Sequence, residues 1–185
     1  MDILKVIQER RSVRRYKADP VPEEIILEIL EAARWAPSWA NTQTWRFIIV
    51  KEEKTKELLS ATLTPNNPAR KALVEAPVLI CIAAKKGVSG FFKGQAATDK
   101  GDWFMFDAGI AIEHLVLGAW NFGLGTCHVG AFDAKQAEEI LKIPDDYAMV
   151  EMMPVGYFDT VPAATPRKTL REIIYLNKFG KPYKD

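Results

Sequence analysis

The sequence has few of the residues that build metal sites and disulfide frameworks. Its 185 residues include two cysteines and two histidines, too few for a disulfide-stabilised fold and without the paired spacing of a zinc site. Neither charge is in excess, since 25 Lys and Arg accompany 24 Asp and Glu. Dedicated nucleic-acid binders usually carry a basic excess. We therefore expect one domain over residues 1–185, with no metal ion and no nucleic-acid partner.

The sequence also lacks the pattern of a signal peptide or a membrane span. Charges interrupt the N-terminus, MDILKVIQERR, so we expect a cytoplasmic, reducing setting. The most apolar stretch, residues 103–123, contains Asp107, Glu113 and His114, and each ionised group at mid-bilayer costs about 2.5 kcal/mol or more. We expect this stretch to form a long buried helix, which a partner subunit could help to cover.

Short motifs of common catalytic and nucleotide-binding sites are missing too. The glycines at positions 123, 125 and 130 do not form G-x-G-x-x-G, and neither a Walker motif nor G-x-S-x-G occurs. Cys127 and His128 are neighbours, but adjacency in sequence does not give the geometry of a nucleophile and its base. We therefore expect no catalytic side chain, and a bound cofactor that performs the chemistry.

The hydrophobic patterns predict helices and strands that do not alternate strictly, which favours an α+β fold over a doubly wound parallel sheet. We expect a mixed β-sheet surrounded by helices. The predicted strands are 45–50, 78–84 and 147–155, and the predicted helices follow Asp2 and cover 22–36, 54–63, 69–76, 103–123, 133–141 and 167–175. Residues 85–101 are expected to form a loop.

Positive charge is concentrated in two short segments near opposite ends of the chain. Five of the eight residues 10–17 are basic and none is acidic. In an extended backbone Arg10, Ser12 and Arg14 would point to one side, and guanidinium groups beside a hydroxyl suit a phosphate. Cations at a helix C-terminus also complement its dipole, so both interpretations stay open. The second basic pair, residues 167–168, matters only if folding brings it to the first.

Residues 37–45, PSWANTQTW, place amides and hydroxyls between two tryptophans. Such a set suits the carbonyl and imide edges of a planar heterocycle. A polar connection with two hydrophobic anchors is the alternative interpretation.

Taken together, these segments resemble the nitroreductase family of FMN-dependent oxidoreductases. The resemblance extends over nearly the whole chain and keeps the family's order of motifs. These motifs are ERRSVRRY, APSWANTQTWRFIIV, EAPVLICIAA, FDAGIAIEHLVLGAWNFGLGTCHVGAF, MPVGYF and PRKTL.

The resemblance implies a homodimer with FMN at the subunit interface, the long central helix in the dimer core, and NADH or NADPH as electron donor. It implies flavin contacts from several segments: Arg10, Arg11, Ser12 and Arg14 in the N-terminal run; Pro37, Ser38, Trp39, Asn41 and Gln43 in a loop of the other subunit; Asn67, Arg70 and Lys71 in a loosely aligned segment; Gly130 and Ala131 near flavin N5; and Arg167 and Lys168 at the phosphate. Arg14 would approach the pyrimidine edge.

Two departures from the family concern the substrate pocket. Gln43-Thr44-Trp45 stands where Gln-Pro-Trp is common, and Trp39 is bulky where many members are small. Trp39, Phe91 and Phe92 are therefore candidate pocket residues, although the two phenylalanines could equally be core anchors.

The predicted function is NAD(P)H-dependent reduction of nitroaromatic, quinone-like or other small acceptors by ping-pong hydride transfer. One alternative keeps the flavin but changes the reaction to dehalogenation, dehydrogenation or flavin destruction. Another, from a different class, is an anion- or nucleic-acid-binding module that uses the N-terminal basic run.

Overall fold

The computed structural model describes residues 2–183. The helices are α1 (Ile3–Glu9), α2 (Glu23–Arg34), α3 (Glu53–Ala61), α4 (Arg70–Glu75), α5 (Phe104–Asn121), α6 (Ala134–Leu141) and α7 (Leu170–Ile173). The strands are β1 (Trp45–Val50), β2 (Val78–Lys85), β3 (Phe91–Phe92), β4 (Gln95–Ala96), β5 (Gly125–Thr126) and β6 (Tyr147–Gly156). Asp2 and Asp133 cap α1 and α6, because their side chains accept hydrogen bonds from backbone N–H groups in the first turn.

A four-stranded sheet in the order β1-β2-β6-β5 forms the centre of the molecule. Its neighbouring strands pair antiparallel, and a bridge between Ser12 and Thr126 adds parallel pairing. Strand β2 is buried from Val78 to Ala84, because helices cover both faces of the sheet. The α+β fold predicted from the sequence is thereby confirmed.

Helix α5 packs on α2 and on the sheet with its buried face. Its C-terminus is a Schellman motif, in which Leu124 N–H donates to the Ala119 carbonyl and Gly123 N–H to the Trp120 carbonyl. Gly123 has a φ of +75°, which favours glycine. The opposite face of α5 is not covered, so that Phe106 is 59% exposed. Among residues 2–183, no helix is long and apolar enough to cross a membrane.

Two predicted segments differ in the structure. The expected loop 85–101 contains the β3–β4 hairpin, whose turn residues Lys93 and Gly94 both have positive φ, at 51° and 77°. Lysine signals such a turn only weakly. The C-terminal helix is short, because a Thr169–Glu172 capping box starts α7 late and Ile174 is already extended.

Candidate functional site

The N-terminal basic run leaves α1 and continues as extended backbone beside β5. Val13 N–H donates to the Thr126 carbonyl at 2.8 Å. Gly125 permits this approach, since a Cβ there would lie 2.7 Å from the Val13 side chain. The run is therefore held along the segment that leads from β5 to Gly130.

Folding brings this run to Arg167 of the second basic pair at a pocket of about 400 Å³. Arg10 and Arg11 line it from one side and Arg167 from the other. Arg11 Nη1 donates to the Gln8 and Arg10 carbonyls, at 2.7 and 2.8 Å, whereas Arg11 Nε is buried without a hydrogen-bond partner. Lys168 is exposed and is not among the residues that line this pocket.

Ser12 and Arg14 line a neighbouring pocket of about 460 Å³. Arg14 also lies close to Cys127. Burial raises the pKa of the Cys127 thiol, and the Arg14 guanidinium offsets part of that rise. A raised pKa leaves the thiol protonated at neutral pH, so Cys127 has no activated thiolate to offer.

The predicted N5 turn follows β5, the strand beside which the basic run lies. Gly130 and Ala131 are exposed, and nothing lies within 4 Å of the position that a Gly130 side chain would occupy. The Asn67 amide contacts the Ala131 carbonyl at 3.4 Å, so Asn67 belongs to this region. Arg70 begins α4 and is half-buried, while Lys71 is exposed and pairs with Glu75 at 2.9 Å.

The loop from Pro37 to Gln43 has a strained backbone. Ala40, Asn41 and Gln43 have φ values of 42°, 56° and 46°, in the left-handed region that non-glycine residues seldom adopt. Ser38 Oγ accepts the Gln43 N–H at 3.0 Å, which closes the loop on itself. Backbone strain of this kind persists only where the surroundings enforce it, and it is frequent at functional sites.

A buried carboxylate of α5 holds this loop in place. Asp107 is 1% exposed and accepts hydrogen bonds from Trp39 N–H at 3.1 Å and from the Ser89 hydroxyl at 2.6 Å. The Thr42 hydroxyl approaches it at 3.4 Å. This role was not predicted from the sequence, although a lone acidic residue at the start of an apolar helix was its signal.

The candidate pocket aromatics lie at the same end of α5 as Asp107. The Trp39 and Trp103 rings are 6.1 Å apart, and Trp103 meets Phe106 edge-on at 5.2 Å. On the hairpin Phe92 is 69% exposed and Phe91 is half-buried, so Phe92 is not a core anchor.

Within one chain, the loop and the basic pocket are separate. The pocket with Arg10 and Arg167 contains no residue of the loop. Arg10 contacts Glu113, six residues further along α5 than Asp107, which corresponds to about 9 Å along the helix axis. The structure thus places Arg10, Arg11 and Arg167 at one pocket and Asn67 at the Gly130 turn, and that pocket contains no residue from 37–43.

The residues present fit a phosphorylated planar molecule. Three guanidinium groups surround one pocket, and the buried Arg11 Nε lacks an acceptor, which an anion would provide. The open backbone at Gly130 leaves room for a flat ring. Among residues 2–183, no cluster of three His, Cys, Asp or Glu side chains is arranged to bind a metal ion.

A helix-flanked antiparallel sheet with three arginines at one pocket fits the class of proteins that bind a phosphorylated molecule. The model of the Nitroreductase family matches residues 7–157. The chain therefore belongs to the Nitroreductase family, which confirms the family and the oxidoreductase class predicted from the sequence.

Several relatives share most of their length with this chain. It is 28% identical over 182 residues to the NADH dehydrogenase of Thermus thermophilus, covering 85% of this chain and 87% of that protein. It is 28% identical over 193 residues to the iodotyrosine deiodinase of Thermotoga neapolitana, covering 93% and 96%. The structure of an FMN-dependent nitroreductase from Clostridium difficile superposes with a TM-score of 0.79 at 29% identity, covering 95% and 99%.

Proposed function

We propose that this protein is an FMN-dependent oxidoreductase that uses NADH or NADPH to reduce nitroaromatic, quinone-like or other small acceptors. The observation that carries the proposal is the pocket formed by Arg10, Arg11 and Arg167, in which the buried Arg11 Nε lacks a partner. The FMN-dependent relative and the NADH dehydrogenase relative support the choice of cofactor and donor.

Bound FMN would supply the hydride chemistry, with donor and acceptor using the same place in turn. Arg10, Arg11 and Arg167 would bind its phosphate, since several fixed cations stabilise a dianion. The Gly130 turn would orient the ring through its backbone. Arg14 would place positive charge beside the ring, and a cation there stabilises the reduced form.

The site would be completed by a second copy of the chain. An apolar groove of about 640 Å³ runs between α1, α2 and α5 and is lined in part by Ile3, Ile7, Trp35, Leu117 and Phe122. Trp35 is 72% exposed there, and exposed apolar patches of this kind mark protein interfaces.

Two-fold packing through α5 would bring the partner's loop to this chain's basic pocket. The loop is anchored at Asp107 of α5, and Arg10 of the basic pocket contacts Glu113 on the same helix. A second α5 lying against the first would place the partner's loop beside this chain's pocket, and so offset the separation of loop and pocket within one chain. Trp39 from the partner would then lie over the ring and limit the size of the acceptor.

A visible spectrum of the purified protein tests the proposal. We expect flavin absorbance, or its appearance on adding FMN, and bleaching by NADH or NADPH under anaerobic conditions. The donor that bleaches faster identifies the nicotinamide preference. A colourless protein that takes up no FMN would overturn the proposal.

A second candidate function on the same cofactor is reductive dehalogenation, which the iodotyrosine deiodinase relative favours. Release of halide from a halogenated phenol by the reduced protein, measured beside reduction of a nitroaromatic, separates the two. An anion-binding module without redox chemistry would instead bind polyanions with steep salt dependence and would not bleach.

A further inference from the structure

Four charged side chains from separate segments form a continuous chain beside the basic pocket. Glu151 of β6 lies 3.1 Å from His128 Nδ1 through each of its carboxylate oxygens. His128 Nε2 lies 3.6 Å from one oxygen of Glu113 on α5. The other oxygen of Glu113 lies 3.8 Å from Arg10 Nε. His128 is therefore linked to a pocket cation through a single carboxylate.

A bulge in the sheet helps to bring these groups close together. The pairing of β2 with β6 shifts register between Ile82 and Ala83, so that Glu151 pairs with Ile82 while Val150 has no partner. Such a bulge re-aims the neighbouring side chains. The Arg10 and Glu151 side chains are only 19% and 13% exposed, which limits the screening of their charges.

Glu113 by itself would oppose anion binding at the pocket. Its carboxylate competes with a phosphate for the Arg10 guanidinium and adds negative potential beside it. His128 counters this effect when it is protonated, because its imidazolium then pairs with Glu113. With His128 charged the four groups cancel, whereas without it they leave one net negative charge next to the phosphate.

We propose that His128 is a positioning residue for the phosphate end of the site: it pairs with Glu113 and so weakens the competition of that carboxylate with the phosphate for the Arg10 guanidinium. This inference rests on the proposed FMN site. It predicts that His128 affects the recognition of the phosphate and not of the flavin ring.

Flavin binding to the apoprotein separates these two kinds of recognition. Riboflavin has the same ring as FMN but no phosphate. We expect His128→Gln to weaken FMN binding roughly fivefold, from the loss of one charge at partly screened range. Riboflavin binding should stay unchanged. A loss shared equally by both flavins would overturn the proposal, since it would indicate a general structural role.

A rescue variant tests the part assigned to Glu113. Once Glu113→Gln removes the competing carboxylate, Arg10 can bind the phosphate without His128 to pair with that carboxylate. The double variant Glu113→Gln, His128→Gln should therefore regain FMN affinity within about twofold of wild type. Thermal melts of both variants identify any loss of folding. A double variant that folds but binds FMN as weakly as His128→Gln would contradict the proposal.

The pH profile gives an independent readout. The carboxylates of Glu113 and Glu151 raise the pKa of His128 to about 9. The preference of wild type for FMN over riboflavin should fall as pH rises through that value, and His128→Gln should lack this step. Arg10 and Cys127 also face the cluster, but both are present in the variant, so they cannot produce a step that only wild type shows.

Failure of this inference is distinguishable from failure of the proposed function. A wild-type protein that binds FMN no better than riboflavin would contradict the proposed phosphate pocket itself. A wild type that prefers FMN, with His128→Gln showing the same preference, would overturn the role of His128 alone.

Discussion

The two halves of the proposed site are built by opposite physical means. The basic pocket collects Arg10, Arg11 and Arg167 from the two ends of the chain, and its cations are concentrated visibly in the sequence. The loop from Pro37 to Gln43 is uncharged, has a strained backbone and is anchored by one buried carboxylate, Asp107. Charge therefore reveals the first half, whereas only tertiary structure reveals what holds the second.

The positions of the two halves are the reason for proposing that two chains complete each site. The pocket and the loop are attached to the same helix at separate positions, and an apolar groove beside that helix is uncovered. Loss of the proposed contact between two chains should have the largest effect, and changes within either half should have smaller ones.

Trp35→Glu should have the largest effect, because a charge in the groove disrupts both symmetry-related contacts of a two-fold dimer. We expect a cost of about 2–4 kcal/mol at each contact, seen as a fall from two chains to one by light scattering, with loss of FMN. Leu58→Glu is the control, since Leu58 is 47% exposed on α3, outside the groove. A Trp35→Glu protein that stays dimeric would exclude the groove as the interface.

Asp107→Asn should break the loop half alone. The amide can donate where Trp39 N–H and the Ser89 hydroxyl need an acceptor, so we expect a loss of about 2–3 kcal/mol in the free energy of unfolding. Urea unfolding measures it. The matched control is Asp99→Asn, because the Asp99 side chain is 93% exposed. This substitution should change the free energy of unfolding by no more than about 0.5 kcal/mol. Equal effects would mean that Asp107 does not anchor the loop.

Arg10→Ala and Arg167→Ala should weaken the basic half. Each removes a charge-assisted contact to phosphate, and we expect roughly tenfold to thirtyfold weaker FMN binding with riboflavin binding unchanged. Titration calorimetry on the apoprotein measures both. Lys51→Ala is the control, because Lys51 is exposed and pairs with Glu23. Unchanged FMN affinity in both arginine variants would refute a phosphate site shared by the two ends.

The smallest expected effect is the pH dependence of stability contributed by His128. Its pKa is raised from 6.5 to about 9 on folding, so its contribution is fully present below about pH 6.5 and is lost as pH rises through about 9. With 40% of the side chain exposed, we expect about 1 kcal/mol. Urea unfolding at several pH values should show this loss in wild type and not in His128→Gln; parallel pH profiles would contradict it.

Much of the fold could be predicted from local patterns. The continuous apolar run of β2 and the caps at Asp2 and Asp133 all have short-range causes, so the sequence displays them directly. The Lys93–Gly94 turn was missed because its left-handed lysine is unusual. The role of Asp107 was missed because it depends on Ser89 and Trp39, which are distant in sequence.

The candidate site divides in the same way. The approach of residues 10–11 to Arg167, on which the phosphate site depends, is seen in the pocket that they share. Their phosphate contacts and all the other predicted flavin contacts, including those of residues 37–43, Lys71 and Lys168, stay predictions. No sequence pattern indicated that His128 would reach Glu113 and Glu151, since that contact requires β6 and α5 to pack beside β5.

The central claim is that each site combines the basic pocket of one chain with the loop of the other. Mixing two disabled chains tests it directly. One chain carries Arg10→Ala with Arg167→Ala. The other carries Gln43→Ala with Ser38→Ala, and the second of these removes the hydroxyl whose hydrogen bond closes the loop. Neither protein alone should retain FMN. Their mixed dimer should bind one FMN, since one of its two sites would have both halves intact. A mixed dimer that binds none would contradict the claim.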